Sequence, residues 1–343
     1  MSMLKGRKSA VGLDIGSSCI KALEITRDKY DYIITGYGQV EIQNEAARAD
    51  AIRELFEQCR FKSKKVVTSV SGKSVIVRYI NMVQMTDDNL VEAIRFEADK
   101  YIPFDLEEVQ VDFQKLMDIE AEGAASPEMK VLLVAVKKSL VQDQAMMMTE
   151  LGLSPVAIDV DAFAIGNAYD LNENLSPGLD EDKIVGLIDI GANKTCINIM
   201  RNNISLFARE VYLGGDDFTE AITRRLGLDL YEAEALKRDP GDRQAEVKEA
   251  VSSVIEDLGN EVSLSFDFFE NQYDGQVANV FLSGGGSFLP QLEDDFESLF
   301  EKRTRVWNPI EGLKIKSDNV DIDALNESSL QLGVAVGLAA RAI

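Results

Sequence analysis

Apolar and polar positions alternate from the first strongly patterned stretch onward. Val11, Leu13 and Ile15 form one run, and Ile20, Ala22, Leu23 and Ile25 form the next, with Gly16-Ser17-Ser18 between them. This pattern predicts two strands joined by a hairpin whose tip carries a glycine and two hydroxyls. YIITGYGQVEI, VVTSVSG and SVIVRYI predict further strands up to Tyr79. A helix over Ala47 to Cys59 separates them, and its Ile52, Leu55 and Phe56 sit at helical spacing to cover a sheet.

The pattern then changes. Thr86 is placed to cap a helix with Asp87 and Asp88 in its first turn and Leu90, Ile94 and Tyr101 on one face, ended by Pro103. Val109, Val111 and Phe113 alternate as a half-exposed strand, Glu120 to Pro127 forms a hairpin loop, Val131 to Val136 is an apolar strand, and a helix follows from Leu140 to Leu151. Helix, strand, strand, helix describes a small α+β subdomain and a candidate partner surface. Val156 to Tyr169 then passes from strand into a helix rich in small residues, and Leu330 to Ala342 has the same character. Such helices pack closely and can hinge.

Ile184 to Thr195, IVGLIDIGANKT, repeats the opening pattern, with Asp189 for Asp14 and Gly191 for Gly16. A built internal duplication explains the echo better than chance. Strands over Ile197 to Val211 lead through Gly214-Gly215-Asp216-Asp217 into a helix whose free N–H groups make an anion site. EAEALK, a long amphipathic helix from Gln244 to Tyr273, a strand over Val277 to Leu282 and the turn Ser283-Gly284-Gly285-Gly286-Ser287 into a helix from Leu289 to Phe300 complete the second half.

Composition narrows the function. A chain of 343 residues with 45% hydrophobic residues can hold two lobes with real cores. A net charge of −23 argues against nucleic acid and anionic lipid as main partners. Lys5, Arg7 and Lys8 precede no apolar signal core, and no run approaches a bilayer span, so a cytoplasmic protein with Cys19, Cys59 and Cys196 reduced is expected. Histidine is absent, which removes histidine bases and the usual zinc chemistries.

What remains is carboxylates, lysines, hydroxyls, backbone amides and a divalent ion. Gly16 permits close approach of a phosphate, Ser17 and Ser18 add hydroxyls, and Lys21 on the outgoing strand can return as a point charge. Asp14 suits a hydrated Mg²⁺. Asp189, Gly191 and Asn193 offer the same from a second loop, so the two hairpins can grip a polyphosphate from both sides. Glu234 and Lys237, three apart, are either a solvated pair or an acceptor and a donor for a ribose and a base. Gly284, Gly285, Gly286 and Ser287 give a flat turn for a nucleobase or phosphate. Ser71-Gly72-Lys73-Ser74 lacks the first glycine of a P-loop, with Val67 in its place, and reads as a turn between strands.

The order DIGSSxxK, small-residue helix, DIGANKT, GGDDFT with EAEALK, LSGGGS and a final small-residue helix resembles the actin, Hsp70 and sugar-kinase ATPase superfamily. AIRFEADKYIPFDLEE from Ala93 to Glu108, with SVSGKSVIVRYINM, SLSFDFFENQ and Trp307-Asn308-Pro309, is similar to the FtsA-like PilM family of type IV pilus assembly. The resemblance implies a two-lobed α/β actin-like ATPase fold with an inserted α+β subdomain of FtsA type. It implies ATP and Mg²⁺ as ligands, Asp14 and Asp189 organising the metal through water, LSGGGS along the adenosine, Glu234 on the ribose and Lys237 near adenine. It implies a groove, formed by the insertion with the first lobe, for the cytoplasmic N-terminal segment of the inner-membrane protein PilN, which would hold the chain peripherally at the inner membrane.

The expected divisions are a first lobe over 1–84 and an insertion over 85–153. A connecting helix follows over 154–183. The second lobe is expected over 184–228, 229–276 and 277–324, with a closing helix over 325–343. A slow ATPase at most is expected, with Asp161, and Asp159 as its rival, to orient water; other assembly proteins are possible partners. The alternatives are a small-molecule kinase of the same fold, an FtsA-like filament former and a chaperone-like protein.

Overall fold

The computed structural model describes residues 8–29, 31–42, 44–119, 127–175, 183–273, 275–316 and 318–343. Lys5, Arg7 and most of the expected loop from Glu120 to Pro127 lie outside the described residues. The chain opens with β1 (Lys8–Ile15), β2 (Cys19–Arg27), β3 (Tyr32–Glu41), α1 (Arg48–Cys59) and β4 (Lys65–Val70). Next come β5 (Val75–Val83), α2 (Asp87–Ala98), β6 (Val109–Ile119), β7 (Glu128–Lys137) and α3 (Lys138–Glu150). Then follow β8 (Ser154–Val160), α4 (Asp161–Leu175), β9 (Ile184–Ile190), β10 (Thr195–Arg201), β11 (Ile204–Val211), α5 (Gly215–Leu226), α6 (Leu230–Arg238) and α7 (Gln244–Gln272). The last elements are β12 (Val277–Ser283), α8 (Leu292–Phe300), β13 (Arg303–Val306), β14 (Lys314–Ile315), α9 (Ile322–Glu327) and α10 (Gly333–Ala340).

Two compact units result: Met1–Ser69 with Leu151–Ile343, and Val70–Glu150. The larger unit contains two sheets, ordered β14-β3-β2-β1-β4-β8 and β11-β10-β9-β12-β13. In each, an antiparallel three-strand meander is followed by a strand parallel to its first member, β4 on β1 and β12 on β9. The duplication read in the DIG motifs is therefore a duplication of sheet topology.

Two helices tie the sheets together. α4 leaves the first sheet through β8 yet packs on β10: a β-carbon on Gly166 would lie 3.0 Å from the Asn198 amide, and that amide donates to the Ala162 carbonyl at 2.7 Å. α10 follows the second sheet yet packs on β1, where a β-carbon on Gly12 would meet the Ala335 carbonyl oxygen at 1.9 Å. Small residues are required there because backbone meets backbone.

The smaller unit has its own sheet, ordered β5-β7-β6, and a core of Ile80, Met82, Leu90, Ile94, Ile102, Val131 and Leu133 among others. Its first strand is a correction to the expected boundary. Val75–Val83 was expected in the first lobe, but it pairs antiparallel with β7 along its whole length, so the unit begins at Val70. Tyr101 is also displaced: α2 stops at Ala98, Tyr101 is exposed, and Ile102 fills the core position instead. Thr86 precedes α2, but its hydroxyl makes no cap bond; its carbonyl accepts from the Leu90 amide at 2.9 Å.

Candidate functional site

Both DxG segments form the expected hairpins. The first closes with the Gly16 amide donating to the Cys19 carbonyl at 3.1 Å, the second with Gly191 donating to Lys194 at 2.9 Å. A β-carbon on either glycine would fall within 3 Å of that same carbonyl oxygen, 2.7 Å at Gly16 and 2.9 Å at Gly191. Ser17, Ser18 and Asn193 stand exposed at the tips.

The two aspartates are supported differently. Asp14 lies opposite Lys21 in the β1–β2 register and receives its ammonium at 2.8 Å. Asp189 lies beside Ser283 on β12, whose hydroxyl donates to its Oδ1 at 2.8 Å. Burial pushes Asp189 up to about 6, and Asp14 adds to that, while the Ser283 hydrogen bond and the charge of Lys21 pull it down. Burial also raises Asp14, against the pull of Lys21. Asp189 therefore lies in the field of Asp14, and Lys21 is shared between them.

Asp161 begins α4 and faces this centre: its charge raises both Asp14 and Asp189. Its Oδ2 accepts from Lys194 at 2.9 Å, and the same ammonium donates to Glu210 at 2.9 Å. Asp159 is turned to the end of α10, where Arg341 reaches it at 2.9 Å, and burial raises its pKa. Of the two rivals, Asp161 is the one coupled to both hairpin aspartates.

The start of α5 departs from expectation. Its amides are not free: Gly215 donates to Gly191 and Asp216 to Ala192, each at 2.8 Å, and Gly214 donates to the Asp217 carboxylate at 2.8 Å. The helix start is a latch on the second hairpin. Its glycines are needed because a β-carbon on Gly214 would meet the Ala192 carbonyl oxygen at 2.5 Å. The pair Glu234 and Lys237 is not a solvated surface pair either. Lys237 is buried and donates to the Gly215 carbonyl at 2.9 Å and to the Thr219 hydroxyl at 2.8 Å. Glu234 accepts from Thr219 at 2.6 Å and from Arg238 at 3.0 Å. Burial pushes the Glu234 carboxyl up, but hydrogen bonds from Lys237 and Thr219 outweigh it and hold it below the usual range.

Of the glycine turn, Gly285 alone is exposed; Gly284 and Gly286 are buried against Ile190, whose backbone oxygen a β-carbon on Gly284 would meet at 2.4 Å. Ser287 is buried and donates back to the Ser283 carbonyl at 2.6 Å. The turn therefore couples β12 to the second hairpin, and its face toward solvent is narrower than three glycines imply. α8 begins only at Leu292, beyond Pro290. Ser71 to Ser74 is a turn between β4 and β5, with Gly72 at φ +89°.

Two carboxylates raised by burial, with one shared ammonium, leave a deficit of positive charge that a divalent cation would fill. Among the described residues no group of three or more acidic or cysteine side chains forms a protein-only cage. A cation held by Asp14 and Asp189 would keep waters and ligand oxygens, which fits Mg²⁺. Lys194 and Glu210 are site residues that the sequence reading does not assign, and Ser283, expected in the adenosine turn, instead supports Asp189. Lys194 stands inside the second motif, DIGANKT, which is its signal; Glu210 has none.

Comparison with known proteins gives the chain a context. The family model described as type IV pilus assembly protein PilM matches residues 12–343. A solved PilM-PilN type IV pilus biogenesis complex contains a chain 30% identical, with TM-score 0.82, covering 97% of this chain and 98% of that one. MreB 5 of Spiroplasma citri, solved bound to AMPPNP, superimposes with TM-score 0.52 at 12% identity over 96% of this chain and 94% of its own. That likeness shows the fold, α/β and actin-like. Cell division protein FtsA of Bacillus subtilis (strain 168) is 25% identical over 259 residues, 67% of this chain and 58% of FtsA. The match thus spans little more than half of FtsA's length.

Proposed function

This chain belongs to the PilM family of type IV pilus assembly proteins, and we propose that it is an ATP-binding scaffold whose nucleotide governs its grip on a PilN peptide. The observation that carries the nucleotide part is the convergence of Asp14, Lys21, Asp161 and Asp189 on one centre between two hairpins of duplicated topology. ATP, with Mg²⁺ between the aspartates, would bridge the hairpins and favour whichever state of the two sheets it binds more tightly. Gly16, Ser17, Ser18 and Lys21 serve the phosphates from one side, and Gly191 and Asn193 serve them from the other. Gly285 offers its open face to the adenosine, and Glu234 presents the edge left exposed by Thr219 and Lys237. Gly214, Gly215, Lys237, Gly284, Gly286 and Ser287 act from behind, by holding the second hairpin and α5 in place.

The partner part assigns the unit Val70–Glu150 to the cytoplasmic N-terminal segment of PilN. It is supported by the exposed apolar side chains of that unit, Val83, Val91, Phe96 and Met146, with Phe96 79% exposed. A short extended or helical segment docks on such a surface through a few anchors. No helix of the described residues is long and apolar enough to cross a membrane, and attachment at the inner membrane comes through PilN. Membership of the family favours this reading over a kinase or a cell-division filament.

The test is fluorescence anisotropy of a labelled PilN N-terminal peptide. Phe96→Asp is expected to weaken binding by about tenfold or more, and Mg-ATP is expected to change the wild-type affinity. An affinity unmoved by Phe96→Asp overturns the surface, and one unmoved by ATP overturns the switch.

A further inference from the structure

Lys194 is the strongest feature that the reading above does not use. It sits at the tip of the second hairpin, with its backbone carbonyl closing the turn on Gly191 and its ammonium 2.9 Å from both Asp161 Oδ2 and Glu210 Oε1. All three side chains are mostly buried, at 20%, 17% and 20% exposure for Lys194, Asp161 and Glu210. Glu210 is carried by β11 opposite Cys196, so the hairpin and its neighbouring strand present the lysine to the first residue of α4. We propose that Lys194 is a positioning residue that restrains turnover, holding the Asp161 carboxylate so that it neither orients nor deprotonates an attacking water.

Charge and geometry give Lys194 this role, which rests on the nucleotide reading. Hydrolysis of the γ-phosphoryl group forms a bond from a water oxygen to the γ-phosphorus and breaks the bond from that phosphorus to the β–γ bridging oxygen, which leaves on ADP. The water proton passes to a carboxylate and on to solvent. Asp161 is the carboxylate placed for this: it opens α4, lies 2.9 Å from the ammonium carried by the second hairpin, and its charge acts on both hairpin aspartates. An ion pair at hydrogen-bond distance occupies one of its oxygens, so that oxygen is not open to a water proton. Glu210 fixes the ammonium from the far side, so Lys194 does not swing free of Asp161. The arrangement suits a protein that binds a nucleotide and keeps it.

The experiment is steady-state ATP hydrolysis by Lys194→Met, with binding of a fluorescent ATP analogue measured on the same samples and thermal melts to verify folding. Lys194→Met removes a positive charge from between two carboxylates at the second hairpin, so the analogue should bind several-fold more weakly. General-base assistance is worth on the order of 10²–10⁴ in rate, so kcat at saturating ATP should rise by about tenfold or more. These opposite movements are what a merely structural role would not produce. Lys194→Arg should restore both values toward wild type, and Asp161→Asn added to Lys194→Met should remove the gain. A kcat that stays level or falls while the analogue still binds overturns the proposal, as does a gain that survives Asp161→Asn. If wild-type protein does not bind the analogue, the nucleotide reading fails, and this proposal fails with it.

Discussion

Gly337 of α10 lies so close to Ala164 of α4 that a β-carbon built on the glycine would fall 1.6 Å from the Ala164 carbonyl oxygen. The obstacle is backbone, which cannot turn aside as a side chain can. Gly337→Ala is therefore expected to cost about 3 kcal/mol or more, because the helix must shift and Gly12 holds its other side against β1. Gly285→Ala is the control: its nearest neighbour would be Gln331 at 3.8 Å, so stability should stay within about 0.5 kcal/mol. Urea unfolding of the two variants checks the contrast.

Asn172 anchors the one tryptophan. Its Oδ1 accepts from the Trp307 indole at 2.9 Å, and its amide donates to the carbonyls of Pro309 and Glu311 at 3.1 and 2.8 Å. Asn172→Leu leaves a buried N–H and two carbonyls without this partner, and a loss of about 2–4 kcal/mol is expected. Trp307 fluorescence reports the unfolding directly, and a midpoint in urea equal to wild type would contradict the assignment.

Asp189 ties the site to stability. Its folded pKa of about 6 lies above the 3.8 usual for an aspartate in an unfolded chain. The folded state therefore holds the proton more strongly, and stability falls as pH rises from about 4 to above 6. Asp189→Asn should stabilise the ligand-free protein at pH 7.5 by on the order of 1–2 kcal/mol, with the gain vanishing near pH 4. Denaturation at the two pH values tests the sign. A variant less stable than wild type at pH 7.5 would contradict it.

Lys237 braces α6 on α5 through Gly215 and Thr219. Lys237→Met removes the ammonium's bonds to the Gly215 carbonyl and the Thr219 hydroxyl and its ion pair with Glu234, so a loss of about 1–3 kcal/mol is expected even with no nucleotide present. Thermal melts of the ligand-free variant separate this from a role confined to adenine, which would leave the melting temperature unchanged.

The strands and both hairpins were legible because their apolar alternation and glycine tips are local, and the DIG echo carried the duplication of the sheets. β5 was assigned to the wrong unit for the opposite reason. Its alternation says that it is a strand, but only its pairing with β7 says to which sheet it belongs. The α5 amides looked free because the sequence does not show that the Gly191 and Ala192 carbonyls come to meet them. Glu234 and Lys237 at i,i+3 read equally well as a surface pair; the burial of Lys237 depends on Thr219, fifteen or more positions away in the chain. Lys194 stood inside a recognised motif and went unassigned, since Asp161 and Glu210, its two partners, lie on other elements.

The central claim, that the two hairpins clasp one nucleotide with metal between their aspartates, is tested most directly by calorimetric titration of ATP with and without Mg²⁺. Wild type and the Asp14→Asn, Asp189→Asn double variant are to be compared. Saturable, Mg²⁺-dependent binding to wild type, weakened at least about 100-fold in the double variant through loss of some 3 kcal/mol, is the expected result. Equal affinity in the two proteins, or binding indifferent to Mg²⁺, would contradict it.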